Sequence, residues 1–123
     1  MEKLNDKIIS FLRFFWKFGY EPTEIKNSKY LPTPKNIGNY EIDIVAKKQG
    51  QYCIGIILKN SEFENLNLLV EKITFLSSLK NKNDKKEINL FVACDKQYFE
   101  QLKKIILFKP QKYVHKIKIF YLN

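Results

Sequence analysis

Arginine, histidine, cysteine and glycine are all scarce in this 123-residue chain, and each scarcity narrows what it can do. A single histidine, His115, excludes any mechanism that needs a histidine pair. Cys53 and Cys94 stand far apart inside apolar stretches. Two such thiols make neither a zinc site nor a disulfide framework, and we expect them buried and inert. Four glycines leave no phosphate-cradling loop and no nucleophile elbow. No apolar run approaches the roughly 18 to 20 residues that a membrane-crossing helix needs. The start, Met1-Glu2-Lys3-Leu4-Asn5-Asp6, carries acids and no small-residue cleavage site, unlike a secretory signal. The expectation is a cytoplasmic protein with no membrane association.

What is present is apolar mass and lysine. Hydrophobic residues make up 45% of the chain, which is ordinary for a folded domain, so disorder does not describe the whole. The length suits one domain over residues 1–123. Lysine and arginine total 22 against 13 acids, a net charge of +9, and Arg13 is the one arginine. Six of the lysines (Lys103, Lys104, Lys109, Lys112, Lys116 and Lys118) fall in residues 101–123, which hold no acid. A basic surface of this kind attracts polyanions, and nucleic acid is the expected partner. Lysine grips phosphate as a point charge, so such contacts would be largely independent of base sequence.

Periodicity orders the elements. Apolar residues recur at helical steps from Lys3 to about Phe18, and Gly19 supplies a stop. Phe14 and Trp16 lie off that stripe. The aromatic set Phe11, Phe14, Phe15, Trp16 and Phe18 therefore reads as core, as a subunit interface or as a base-stacking platform. Residues 20–38 hold three of the four prolines and read as loop, with one short strand near Thr23–Asn27. Asn39–Lys48 alternates as a strand: Tyr40, Ile42, Ile44 and Ala46 point one way, Glu41, Asp43 and Val45 the other. After a Lys-Gln-Gly turn, Tyr52–Lys59 is nearly all apolar and reads as a central strand. A helix over Glu64–Leu79 follows, with Leu68, Leu69, Lys72, Ile73, Leu76 and Leu79 near one side. Then come a strand over Glu87–Ala93, a helix over Tyr98–Phe108 that Asp95 would cap, and a last strand, Ile117–Leu122. This order predicts an α/β fold with a mixed sheet and helices on both faces.

Asp43 in Glu41-Ile42-Asp43-Ile44-Val45-Ala46 and Lys59 at the end of Ile54-Gly55-Ile56-Ile57-Leu58-Lys59 stand on strands joined by a tight turn. The chain here resembles the PD-(D/E)XK nuclease superfamily, and within it the archaeal Holliday junction resolvases. The resemblance runs from the first helix, which ends in Gly19-Tyr20, through both strands to the closing strand–helix–strand. It implies a restriction-endonuclease-like αβββαβ core, here with an extra C-terminal helix and strand. It also implies that Asp43 and an acid two residues before Lys59 hold a divalent metal, while Lys59 orients the attacking water. The departure is plain: that second position is Ile57. The family's frequent glutamate in the first helix is missing too, since Ile8, Ile9 and Ser10 occupy the stretch.

Magnesium binds hard oxygens and sheds water reluctantly, so one carboxylate seldom anchors it. Glu41, two residues from Asp43 and about 6.5 Å away on a strand, is the first candidate to share an ion, with Glu62 and Glu64 behind it. The leading expectation is a nuclease-like protein with a degenerate active site that binds duplex or branched DNA through its lysines. It would act as a homodimer or beside an active homologue, and it would need no cofactor. The alternatives are an active Mg²⁺-dependent endonuclease using Glu41, Asp43 and Lys59, and a non-catalytic structural subunit. His115 reads as a surface residue or phosphate contact.

Overall fold

In a computed structural model describing residues 6–108 and 113–122, five strands form one mixed sheet with helices on both faces. The helices are α1 (Asp6–Lys17), α2 (Leu66–Ser77) and α3 (Lys96–Phe108). The strands are β1 (Glu21–Ile25), β2 (Ile44–Lys48), β3 (Gln51–Ile57), β4 (Asn89–Asp95) and β5 (Ile117–Leu122). They lie side by side in sequence order. β1, β2 and β3 form an antiparallel meander, whereas β4 and β5 run parallel to β3. Parallel neighbours need crossovers, which α2 and α3 supply. Both step the same way across the sheet and both pack on the same face, as a constant crossover hand requires.

Two apolar layers result. On one face Phe11, Leu12 and Phe15 of α1 cover Ile44, Ala46, Cys53, Phe91 and Ala93. On the other, Leu69, Ile73 and Leu76 of α2 and Leu102, Ile105 and Ile106 of α3 cover Ile54, Ile56, Leu90 and Val92. β3 and β4 feed both layers by strict alternation, which explains their continuous apolar run. Gly55 lets α1 approach: a Cβ there would lie 2.6 Å from a Phe15 ring carbon and 2.8 Å from one of Phe11.

The expected turns form. Gly19, at φ +83°, ends α1 as its amide bonds Trp16 and that of Tyr20 reaches back to Phe15. This is the paired closure that favours glycine after a helix. Gln49 and Gly50 both have positive φ, as the two-residue β2–β3 hairpin demands.

Several boundaries differ. The helix expected over Glu64–Leu79 begins at Leu66, because residues Asn60–Glu64 wind as a 3₁₀ turn and Asn65 caps the helix by accepting the Leu68 amide at 3.2 Å. β1 starts earlier, taking in Pro22, which an edge strand tolerates. α3 begins at Lys96, directly after β4, and the carboxylate of Asp95 pairs with Lys7 at 3.0 Å. The strand expected over Asn39–Lys48 is cut to Ile44–Lys48. Ile42 packs with α2 and α3 while Ile44 and Ala46 pack beneath α1, so these residues do not share a face. The chain bends at Asp43, and strict alternation fails there.

Phe11 and Phe15 are fully buried, and Phe14 and Phe18 pack against Phe120. Trp16 alone of the α1 aromatics stands out, 57% exposed, so the five do not form a stacking platform. No helix among the described residues is long and apolar enough to cross a membrane.

Candidate functional site

The site grows from the point where β2 leaves the sheet. The amide of Asp43 still reaches the Gly55 carbonyl at 3.0 Å, and its carbonyl accepts the Lys26 amide at 2.8 Å. The next donor on that edge of β3 is the Ile57 amide, and the bent chain offers it no backbone carbonyl. The side chain substitutes: Asp43 Oδ2 accepts the Ile57 amide at 2.7 Å. One residue thereby ties β1, β2 and β3 together where the ladder stops.

Around this knot lies a cavity of about 490 Å³, a size suited to a small ligand or a nucleotide unit. It opens at the carboxyl end of β3, the end of a parallel pair where α/β proteins commonly bind ligands. Asp43, Glu41 and Lys59 all line it. Lys59 follows β3 and leads into the 3₁₀ turn, where Glu62 reaches back to accept the Lys59 amide at 2.8 Å. Glu41 and Asp43 meet in the cavity although residues 39–43 are not a strand, so strand period is not what brings them together.

Three residues not assigned to the site from sequence, or only in passing, complete its charge pattern. Lys26 pairs with Glu41 at 2.9 Å, and Lys72 pairs with Glu62 at 2.7 Å. Lys72 carried a signal, being the one cation in the apolar stripe of α2. Its side chain is 14% exposed and lies over the Tyr40 ring. Lys26 follows an edge strand and gave none. Leu68, expected on the inner side of the helix, is 61% exposed and stands at the cavity wall. The cavity thus holds three carboxylates (Glu41, Asp43, Glu62) and three ammonium groups (Lys26, Lys59, Lys72).

The two acids nearest the chemistry are driven in opposite directions. Burial pushes the Asp43 carboxyl above its ordinary value, against the pull of the Ile57 amide, Lys26 and Lys72. The Glu41 carboxyl is held low by its hydrogen bond and charge pairing with Lys26, and further by Lys59 and Lys72. Desolvation governs the first and pairing the second.

A divalent ion does not fit this donor set. Asp43 is engaged by an amide, Glu41 by Lys26, and Glu62 by both Lys72 and the Lys59 amide. Among the described residues no group of three histidine, cysteine, aspartate or glutamate side chains is arranged to hold a metal. Glu64, weighed as a substitute ligand, is exposed and is not part of the cavity lining.

The basic stretch is divided. Lys103 and Lys104 stand on α3, on one side of the sheet. Lys118, on β5, lies over the Phe18 ring at 5.0 Å, on the α1 side. Lys96, outside that basic stretch, lies over Tyr121 of β5 at 5.6 Å. Lys116 corrects the expectation of one outer basic surface: it is 3% exposed, and its ammonium donates to the Leu79 carbonyl at 2.9 Å. Lys109 and Lys112 lie outside the described residues. His115 is exposed, as expected, and its Nε2 lies 3.0 Å from Glu87. Cys53 and Cys94 are free and buried, and burial pushes the Cys94 thiol up to about 11.

Comparisons with protein-family models, with curated proteins and with solved structures return no match.

Proposed function

We propose that this chain is a nuclease-fold protein whose metal site is no longer assembled, and that it binds the backbone of duplex or branched DNA without cutting it. Its topology supports the fold reading. A helix, an antiparallel three-strand meander and a crossover helix into a parallel fourth strand reproduce the αβββαβ order of the PD-(D/E)XK proteins. α3 and β5 extend that core. Asp43 and Lys59 lining one cavity at the end of β3 agrees with it.

The observation that carries the loss of activity is the bond between Asp43 and Ile57. The residue in the place of the second acid contributes no ligand atom, and its amide engages the carboxylate that remains. Glu41 and Glu62 answer to lysines instead of an ion. A complete homologue paired with this chain would supply the missing acids, and the structural-subunit reading becomes the default if no nucleic acid binds.

The DNA surface we infer flanks the β5 edge, with Lys103 and Lys104 on one side and Lys118 on the other, joined by Lys96. Lysines at such an edge also guard it against pairing with another strand. Binding in this mode releases counterions, so a plot of log K against log salt should have a slope between about −3 and −5 for that many phosphate contacts. Titration of labelled duplex and four-way-junction DNA across salt concentrations tests it. No binding at low salt removes the nucleic-acid reading.

A further inference from the structure

The end of the sheet opposite Asp43 gathers cations in a different way. There a recess of about 150 Å³ is lined by Lys48 from the end of β2, by His115 and Lys116 from the turn before β5, and by Lys118. Among the described residues no carboxylate is ion-paired with these three lysines. The Lys48 ammonium donates to the Phe18 carbonyl at 2.9 Å, that of Lys116 to the Leu79 carbonyl, and that of Lys118 sits over the Phe18 ring. Glu87 attracts Lys116 across a gap, but its carboxylate contacts His115.

Carbonyls and ring faces fix the position of an ammonium without cancelling its charge. An ammonium has three donors, and the carbonyl contacts of Lys48 and Lys116 take one each. Lys116 is moreover buried, a costly place for a charge. Burial accordingly lowers its pKa, and the nearby Lys80 adds to that effect. Three lysines lining one half-enclosed recess give it a positive potential, which a bound anion relieves most directly. Among the lining residues the Tyr20 hydroxyl accepts from Asn89 at 2.8 Å and keeps its own proton to donate. The recess has room for one compact anion and not for a nucleotide.

We propose that the recess formed by Lys48, Lys116, Lys118 and His115 is a phosphate-binding site, taking free phosphate or the terminal phosphate of a nucleic-acid strand. It is separate from the Asp43 cavity and does not depend on the DNA-binding reading, since inorganic phosphate alone is a sufficient probe. Lysine suits this ligand, a compact charge meeting a compact charge.

The test is an amide chemical-shift titration of the full chain with inorganic phosphate, run against chloride at matched ionic strength. The site predicts saturable shifts at Asn89, Tyr20 and Lys118 with phosphate only. Lys118→Ala and Lys48→Ala, both at exposed positions, should each weaken binding about tenfold, the effect of losing one charge-assisted contact. Lys82→Ala, an exposed change of equal charge elsewhere, should leave it intact. Equal losses in all three variants would mean diffuse charge attraction and overturn the proposal, as would shifts no larger than those of chloride. A 5′-phosphorylated oligonucleotide that binds more tightly than both inorganic phosphate and its 5′-hydroxyl counterpart assigns the site to strand ends. Equal affinity for inorganic phosphate and the phosphorylated strand assigns it to the phosphate group alone.

Discussion

Asp43 and Ile57 are bound to each other, carboxylate to amide, at 2.7 Å across the point where the β2–β3 ladder ends. A β-strand edge must satisfy every buried donor, and here a side chain does what a carbonyl does elsewhere in the ladder. The same contact decides both architecture and chemistry. It lets β2 bend away, so that Ile42 and Ile44 enter different layers, and it engages an acid that could otherwise face an ion.

Substitution at Asp43 separates these roles. Asp43→Asn keeps an oxygen for the Ile57 amide and removes a half-buried charge, so stability at neutral pH should hold or rise. Asp43→Ala orphans the amide and should cost about 1–3 kcal/mol. The folded-state pKa of Asp43 is raised, so the folded chain binds this proton more readily than the unfolded chain does. Its stabilising contribution is therefore present below the unfolded pKa and fades as pH rises through the folded one. Urea titrations at several pH values should show the wild-type chain losing stability relative to Asp43→Asn as pH climbs through that window.

Glu41 should behave in the opposite sense. Its pKa is lowered by Lys26, so its contribution is present above the ordinary glutamate range and is lost as pH falls through the depressed value. Carboxyl-carbon NMR should find Glu41 titrating below a free glutamate and Asp43 above a free aspartate. In Lys26→Ala the Glu41 midpoint should move back upward. Midpoints in the reverse order would contradict the charge pattern described for the cavity.

Gly55 is a packing requirement. A methyl group there meets the rings of Phe11 and Phe15 at under 3.0 Å, so Gly55→Ala should destabilise the fold by about 1–3 kcal/mol through displaced rings. A chemical denaturation midpoint unchanged from wild type would refute the close approach of α1.

The thiols offer a simple check. Cys53 and Cys94 are buried, and burial raises the pKa of each, so alkylating reagents should modify them only as the chain unfolds. Rapid labelling under native conditions would place one or both at the surface.

Element order and layer structure were legible because β3, β4 and the buried stripe of α1 carry unambiguous periods. Gly19 and Gln49-Gly50 likewise marked their turns by backbone chemistry that few other residues allow. The stretch 39–43 was not legible as it stands. Its alternation looks like strand, and only the missing ladder partner for Ile57, a tertiary fact, reveals the bend. In the cavity, Asp43, Glu41 and Lys59 were visible as chemistry on neighbouring segments. Lys26 was not, because the contact that recruits it spans a long loop and depends on how β1 pairs. Lys116 shows the limit of counting charge: six lysines in a row of residues read as one surface, but the sheet turns one of them inward.

The most direct measurement is a cleavage assay with labelled duplex and junction DNA in Mg²⁺ and in Mn²⁺, run beside a binding titration on the same samples. The account predicts salt-sensitive binding with every substrate left intact. Cutting that disappears in Asp43→Ala would show that these carboxylates do assemble a working metal site, and would contradict it.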